Sequence, residues 1–171
     1  MGKDGTIEER LQRLEDRIEL QNLIIRYFIG CDDQDYEDLA RLFADDAEYA
    51  GGTGPREITE VLRASRSQMG PTIHTPDYML IEFTDADRAS AVIGAHCELA
   101  RGGTTVFGAA RYIGQYVRGA DGWRIWRKER LWFHVGPWDQ VGTSLTADLR
   151  VRWPDEPPEA AELPRGLPAA G

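Results

Sequence analysis

Hydrophobic and polar positions in the first part of the chain repeat with the period of an α-helix. Thr6 and Glu9 have the spacing of a capping box, which predicts that a helix begins at about residue 7. Apolar residues then recur at steps of three, four or seven, at Leu11, Leu14, Ile18, Ile25 and Phe28. This pattern predicts one long amphipathic helix on which these residues form an apolar stripe that packs against the core. A coiled coil is the alternative, although the repeat lasts little more than three heptads.

An acidic residue continues this predicted apolar stripe. Asp32 lies four residues after Phe28, which places both on one face if the helix continues. A carboxylate on a buried face is costly unless another group pairs with it, so we expect Asp32 to have a partner. In the alternative interpretation, Gly30 ends the helix and Asp32 caps the next one.

The remaining pattern predicts two short helices, one short strand and four long strands. We expect helices over about 33–43 and 55–68, a strand over 45–50, and long strands over 72–83, 89–99, 104–117 and 123–135. Pro76 is expected to bend the first long strand. Helices followed by hairpin-connected strands indicate an α+β fold, with a curved antiparallel sheet wrapped around the N-terminal helices and a cone-shaped pocket. We expect residues 1–140 to form this domain and residues 141–171 to form a Pro-rich, partly irregular C-terminal extension.

Composition narrows the possible partners and the compartment. The 171 residues suit one domain, and 29 acids against 20 bases give a net charge of −9. Nucleic-acid and anionic-membrane partners are therefore not expected, and no apolar run reaches the roughly 20 residues of a membrane span. Cys31 and Cys97 form no C-x-x-C pair, and the N-terminus lacks a signal-peptide pattern, so we expect a cytoplasmic protein.

Asp32 and His74 are the candidate catalytic residues. If both face the cone, the carboxylate would hold one imidazole N–H and raise the basicity of the other ring nitrogen. Such a pair can remove a proton without a metal or cofactor. In the alternative interpretation, His74 is a structural histidine with a backbone partner.

The last long strand offers candidate substrate-binding residues in two possible orientations. Lys128, Arg130, Trp132 and His134 share one face, with Trp126, and a cation there could stabilise a developing oxyanion. A β-bulge would instead turn the other face inward, which carries Arg127, Glu129 and Leu131.

Metal and nucleotide sites are not predicted. The three histidines, His74, His96 and His134, lie on separate strands and show no short ligand spacing such as H-x-H or H-E-x-x-H. No glycine-rich phosphate loop follows a strand. We therefore expect no cofactor and no metal.

Several motifs, in this order, carry a resemblance to a known family. They are Tyr27–Asp32, Phe43–Tyr49, Ile73–His74, Tyr112–Tyr116 and Asp121–Ile125. Over about residues 7–137 the chain resembles the SnoaL-like branch of the nuclear-transport-factor-2-like superfamily. Within it, the chain resembles scytalone dehydratase, bile-acid 7α-dehydratase and hexachlorocyclohexane dehydrochlorinase.

The resemblance implies roles for individual residues. The Asp–His dyad of the lyase members falls on Asp32 and His74. Tyr49 lies where scytalone dehydratase has a pocket tyrosine, and His96 could match that enzyme's second histidine. By strand alternation, either His96 or its neighbours Ala95 and Cys97 face inward. The dehydratase-like members also imply a trimer, with a dimer as the alternative, and exposed strand tryptophans favour a homo-oligomer.

These observations lead to one preferred function and one rival. We expect a cofactor-independent dehydratase-, isomerase- or cyclase-type enzyme in which His74, oriented by Asp32, takes a proton from a small or medium apolar substrate. Polyketide-, aromatic- and steroid-like molecules fit this description. The residues do not separate elimination, isomerisation and cyclisation. The rival is a non-catalytic ligand-binding or assembly module of the same fold.

Overall fold

The computed structural model describes residues 5–154 and 156–162 and confirms the α+β prediction. The helices are α1 (Ile7–Asp33), α2 (Tyr36–Arg41), α3 (Gly54–Arg66) and α4 (Trp138–Ser144). The strands are β1 (Phe43–Tyr49), β2 (Gly52–Thr53), β3 (Met69–Phe83), β4 (Arg88–Arg101), β5 (Thr104–Gly119) and β6 (Gly122–Pro137). No helix in the described part of the chain is both long and apolar enough to cross a membrane.

One curved sheet contains all six strands in the order β2-β1-β6-β5-β4-β3. The four long strands pair antiparallel, whereas β1 pairs parallel with β6. Helix α1 packs against both β3 and β6, which are separated in the sheet by β4 and β5. The sheet must therefore curve around the helix, and its concave face holds the core.

Helix α1 begins where the sequence predicts and is attached to the sheet by polar contacts. The capping box is present, because Thr6 Oγ1 accepts from Glu9 N and Glu9 Oε2 accepts from Thr6 N. Further along, the Arg118 guanidinium pairs with the buried Asp16 carboxylate. Trp123 N donates to Glu19 Oε1 at 2.8 Å, where β6 begins. These contacts fix the angle at which α1 crosses the sheet.

The predicted buried stripe of α1 is wrong over most of its length. Leu11, Leu14 and Ile18 are 54%, 59% and 58% exposed, whereas Leu20 is fully buried. The buried apolar residues are Leu20, Leu23, Ile24, Tyr27, Phe28 and Cys31, so the helix turns a neighbouring face to the sheet. Heptad spacing identifies an apolar face, but the ties between helix and sheet decide which face is covered.

Gly30 does not end the helix. Helix α1 continues to Asp33, and Gln34 at φ 55° forms its C-cap. A Cβ atom on Gly30 would lie 3.0 Å from the Leu39 side chain, so glycine permits close packing between α1 and α2. Asp35, rather than Asp32, caps α2 through Asp38 N. The Asp32 side chain is therefore free for a tertiary contact.

The C-terminal segment covers the edge of β6 that β1 leaves unpaired. Val135 N donates to Val151 O at 3.1 Å, and Glu162 N donates to Trp132 O at 3.1 Å. This pairing protects an otherwise open strand edge. Helix α4, at the start of this segment, was not predicted. The predicted irregular structure around Pro164 and Pro168 lies outside the described residues.

Two leucines of α1 test the observed helix orientation. We expect Leu20→Ala to lower the free energy of unfolding by about 2–5 kcal/mol, because it leaves a cavity in the core. Leu14→Ala should cost less than about 1 kcal/mol, because its side chain is exposed. Urea denaturation of both variants provides the comparison. An equal loss in Leu14→Ala would contradict an exposed stripe.

Candidate active site

Asp32 is held in place by three hydrogen bonds at the end of α1. Its Oδ1 accepts from Thr72 Oγ1 at 2.8 Å, and its Oδ2 accepts from the backbone N of His74 at 2.8 Å. The third donor is the His74 ring, whose Nδ1 lies 2.6 Å from Asp32 Oδ1. Arg66 supports this arrangement by donating to Thr72 Oγ1 at 3.3 Å. The carboxylate predicted to need a partner therefore has one.

The Asp32 contact determines the tautomer of His74. Because Nδ1 donates to the carboxylate, Nε2 of the neutral ring carries a lone pair. The His74 side chain is only 6% exposed and lines a cavity on the concave side of the sheet. The Phe28 ring stacks on the imidazole with centroids 5.5 Å apart and limits its rotation. The pair can thus present a basic nitrogen to a molecule in the cavity.

The hydrogen bonds also set the charge of Asp32. Burial raises the pKa of this carboxyl, but the hydrogen bonds from the His74 ring and backbone and from Thr72 lower it further. The net result is a pKa below the ordinary value of 3.8. Asp32 is therefore ionised at neutral pH and can stabilise a protonated His74.

The cavity beside His74 has a volume of about 270 Å³. Its wall combines aromatic rings, a few aliphatic side chains and three arginines. The residues used below are Tyr49, Arg66, Arg101, Arg130, Trp132 and Trp153. A space of this kind suits a small, largely apolar molecule that is oriented by a few polar groups.

Tyr49 lines the cavity, as the resemblance implies. Tyr27 Oη donates to Tyr49 Oη at 3.2 Å, which leaves the Tyr49 proton available to another acceptor. Burial raises the pKa of Tyr49 above 10.0, so its hydroxyl stays protonated at neutral pH. Tyr49 can therefore donate a hydrogen bond into the cavity.

The last strand turns Arg130 and Trp132 toward the cavity, where both were predicted to bind substrate. Register shifts lie between Ile125 and Arg127 and between Trp132 and His134. Because a bulge inserts one residue and reverses the alternation, Trp126 and His134 do not share the inward face of Arg130. The prediction that placed all of them on one face is wrong at these two residues.

Lys128 is buried and lines a second pocket, which it shares with Tyr49, rather than the cavity beside His74. Its Nζ lies 4.1 Å and 4.6 Å from the ring centroids of Tyr27 and Tyr112, and 5.5 Å from that of Phe28. Burial lowers the pKa of Lys128 from 10.5 to about 7. The ring faces favour the charged form and act against this effect. Lys128 therefore lies outside the cavity beside His74, and its predicted substrate-binding role stays a prediction.

His96 does not line the cavity, and its predicted place there is wrong. Strand alternation turns Ala95 and Cys97 inward, where both are buried, and turns His96 outward. His96 Nδ1 lies 2.6 Å from Asp77 Oδ2, with side chains 48% and 37% exposed. The chain thus contains a second Asp–His pair, on the solvent side of the sheet. No group of three or more potential metal ligands occurs in the described residues.

Sequence reasoning missed several residues of the site. Thr72 lies two positions before His74, so a search along one strand face could have found it. Arg66, at the end of α3, gave no such signal, because only the tertiary fold brings it to Cys31 O at 2.6 Å. Trp153 is the one aromatic residue after Trp138 in the sequence, which was an available clue.

Comparisons with known proteins agree with this architecture. The family model for the SnoaL-like domain matches residues 12–129. Hexachlorocyclohexane dehydrochlorinase 1 of Sphingobium indicum is 30% identical over 129 residues, which cover 71% of this chain and 82% of that protein. The chain is therefore similar to a lyase-type enzyme.

Solved structures give the same result for the fold. A hexachlorocyclohexane dehydrochlorinase from Novosphingobium barchaimii has a TM-score of 0.69 at 25% identity, over 75% of this chain and 93% of that one. A protein from Novosphingobium aromaticivorans, provisionally assigned as a scytalone dehydratase, has a TM-score of 0.68 at 18% identity. That match covers 74% of this chain and 90% of the other, and it supports the fold alone.

The buried charge of Lys128 predicts a pH-dependent stability. At pH 7 we expect Lys128→Met to raise the free energy of unfolding by about 1–3 kcal/mol, because it removes a buried ammonium that has no carboxylate partner among the described residues. Between the folded pKa of about 7 and the ordinary 10.5, the unfolded chain binds more protons than the folded one. The free energy of unfolding of the wild type should therefore rise with pH, and the stability gained by Lys128→Met should shrink toward pH 10.

Chemical denaturation at pH 7 and pH 9.5 measures this difference. Arg127→Met, on the same strand but half-exposed, is the control and should show no gain that depends on pH. If Lys128→Met is instead destabilised equally at both pH values, the aromatic rings hold a stable cation and the lowered pKa is wrong.

Proposed function

Because the chain belongs to the family of SnoaL-like domains, we propose that it is a cofactor-independent lyase in which His74 acts as the general base and Asp32 orients it. The contact that supports this proposal most directly is the 2.6 Å hydrogen bond between His74 Nδ1 and Asp32 Oδ1. It leaves Nε2 as the proton acceptor beside the cavity. A general base must lie within hydrogen-bond reach of the proton it removes. Because His74 lines this cavity, a molecule bound there can bring a proton within reach of Nε2.

The proposed reaction is an elimination. Nε2 of His74 takes a proton from a carbon atom, and the C–H electron pair forms a C=C bond. The neighbouring bond to the leaving group breaks, and that group departs with the bonding electrons. Chloride leaves directly, whereas a hydroxyl group leaves as water after the His74 imidazolium returns the proton to its oxygen. Asp32 stabilises the imidazolium that forms.

Two further residues are suited to the departing group. Arg130 lines the cavity, and its guanidinium has no carboxylate partner among the described residues. It can stabilise negative charge that develops on a leaving atom or a carbonyl oxygen. Tyr49 keeps its proton and can donate to the same region. Without a leaving group, the same proton abstraction would give an isomerisation or a ring closure.

The cavity volume favours small substrates within the proposed range. About 270 Å³ lies at the lower end of ligand pockets, so a small aromatic or alicyclic molecule fits better than a steroid-sized one. Hexachlorocyclohexane, on which the Sphingobium relative acts according to its name, is of this class and is a suitable first probe.

A ligand-binding module is the second candidate, because the hydrogen bonds to Asp32 also stabilise the fold. In that case the dyad would hold α1 against β3 without removing a proton. The two candidates differ in proton transfer. Release of chloride from hexachlorocyclohexane and exchange of the acidic C–H of 1-tetralone into deuterated water both report it.

Substitution of either dyad residue tests the proposal. We expect His74→Gln and Asp32→Asn each to lower turnover by about 10²- to 10⁴-fold, the usual contribution of general base catalysis. The first removes the base, and the second removes the charge that orients it. Chloride release and deuterium exchange measure the loss, and circular dichroism checks the fold.

The second Asp–His pair provides a matched control. His96→Gln and Asp77→Asn each disrupt an Asp–His contact of the same length, 2.6 Å, that lies on the solvent side of the sheet. Both should keep the wild-type rate. Full activity in His74→Gln would disprove its role as the base. A wild-type protein that releases no chloride and exchanges no deuterium would favour the ligand-binding module.

A further inference from the structure

One wall of the cavity is a continuous stack of two guanidinium groups and two indoles. Arg130 Cζ lies 4.7 Å from the centroid of the Trp132 ring. The Trp132 and Trp153 rings meet edge to face at 5.7 Å. Arg101 Cζ lies 5.0 Å from the centroid of the Trp153 ring. The wall is therefore apolar along its middle and cationic at both ends.

The guanidinium of Arg101 has unused hydrogen-bond donors. Its contact is with the face of Trp153, and no acceptor or carboxylate in the described part of the chain pairs with it. A ring face does not accept conventional hydrogen bonds, so none of the five N–H groups is taken up within residues 5–154 and 156–162. Arg66, by contrast, is committed to Cys31 O and Thr72 Oγ1.

The charge around Arg101 favours an anion. The described residues that line the cavity include Arg66, Arg101 and Arg130 but no aspartate or glutamate. The protein as a whole carries a net charge of −9, so this positive region is local. A carboxylate matches the planar fork of a guanidinium and forms strong, charge-assisted hydrogen bonds with it.

The position of Arg101 relative to the dyad sets the length of a ligand. Cys97 on β4 pairs with His74, whereas Arg101 pairs with Met69 at the end of β3. Four residues of strand span about 13 Å. The arginine side chain and a bicyclic ring system can fill this distance together, with the tryptophans alongside.

We propose that the substrate is a flat apolar acid whose carboxylate binds Arg101 and whose ring system lies against Trp132 and Trp153. The reacting C–H then faces His74, and this last point rests on the function proposed above. The anion subsite itself does not depend on that function. Trp153 lies beyond residues 12–129, which the family model matches. The C-terminal segment of this chain therefore contributes a side chain to the subsite from outside the matched region.

A charged and a neutral probe of the same shape test the subsite. We expect wild-type protein to bind 2-naphthoate at least about tenfold more tightly than 2-naphthamide, by calorimetric titration. Arg101→Gln should lose this preference while keeping its affinity for the amide, and Arg101→Lys should keep part of the preference. Arg56→Gln, whose exposed side chain pairs with Glu60 outside the cavity, is the control and should behave as wild type.

The outcomes separate this inference from the proposed function. Equal affinity for the two probes, no binding of 2-naphthoate, or a full preference in Arg101→Gln would overturn the subsite. Trp153→Leu should weaken the binding of both probes to the same extent, and unchanged affinities would show that Trp153 is not part of the subsite. His74→Gln should keep the preference for 2-naphthoate. If the preference holds but no variant or wild type transfers a proton, the proposed function fails alone.

Discussion

The site depends on one carboxylate at the end of a long helix. Asp32 accepts from Thr72, from the backbone of His74 and from its ring, across a sequence separation of about forty residues. Without these donors, a partly buried carboxylate in this position would destabilise the fold. With them, the same hydrogen bonds lower its pKa, orient the imidazole and join α1 to β3. Structural and chemical roles therefore coincide in one contact.

Curvature and irregular register decide which side chains enter the cavity. A straight, regular β6 would place Trp126 on the same face as Trp132 and His134. The two bulges reverse this alternation at both ends, so that the Arg130 and Trp132 side chains face inward whereas those of Trp126 and His134 do not. The C-terminal segment then pairs with the free edge of β6 and brings Trp153 against Trp132. The cavity wall is thus made by irregularities of the sheet.

The two Asp–His pairs show how environment decides what a pair of residues can do. Asp32–His74 and Asp77–His96 have the same separation of 2.6 Å. The His74 side chain is 6% exposed and faces an enclosed space, whereas His96 is 48% exposed to solvent. Water competes for the outer pair and screens its charges, whereas the inner pair acts where few other groups can solvate a proton. Chemistry is therefore proposed only for the inner pair.

The sequence alone determined the α+β class and the types of the long elements. These follow from local periodicity and capping, which the chain shows without its fold. The sequence also predicted that Asp32 has a partner, because an unpaired buried carboxylate is costly, but it left open whether that partner is His74. It could not determine which apolar face of α1 is buried, because Leu14 and Leu20 both belong to plausible stripes. Nor could it orient His96, because strand alternation leaves two choices. Only the tertiary structure decided these points, since helix crossing angle, bulges and sheet curvature arise from contacts between residues far apart in the chain.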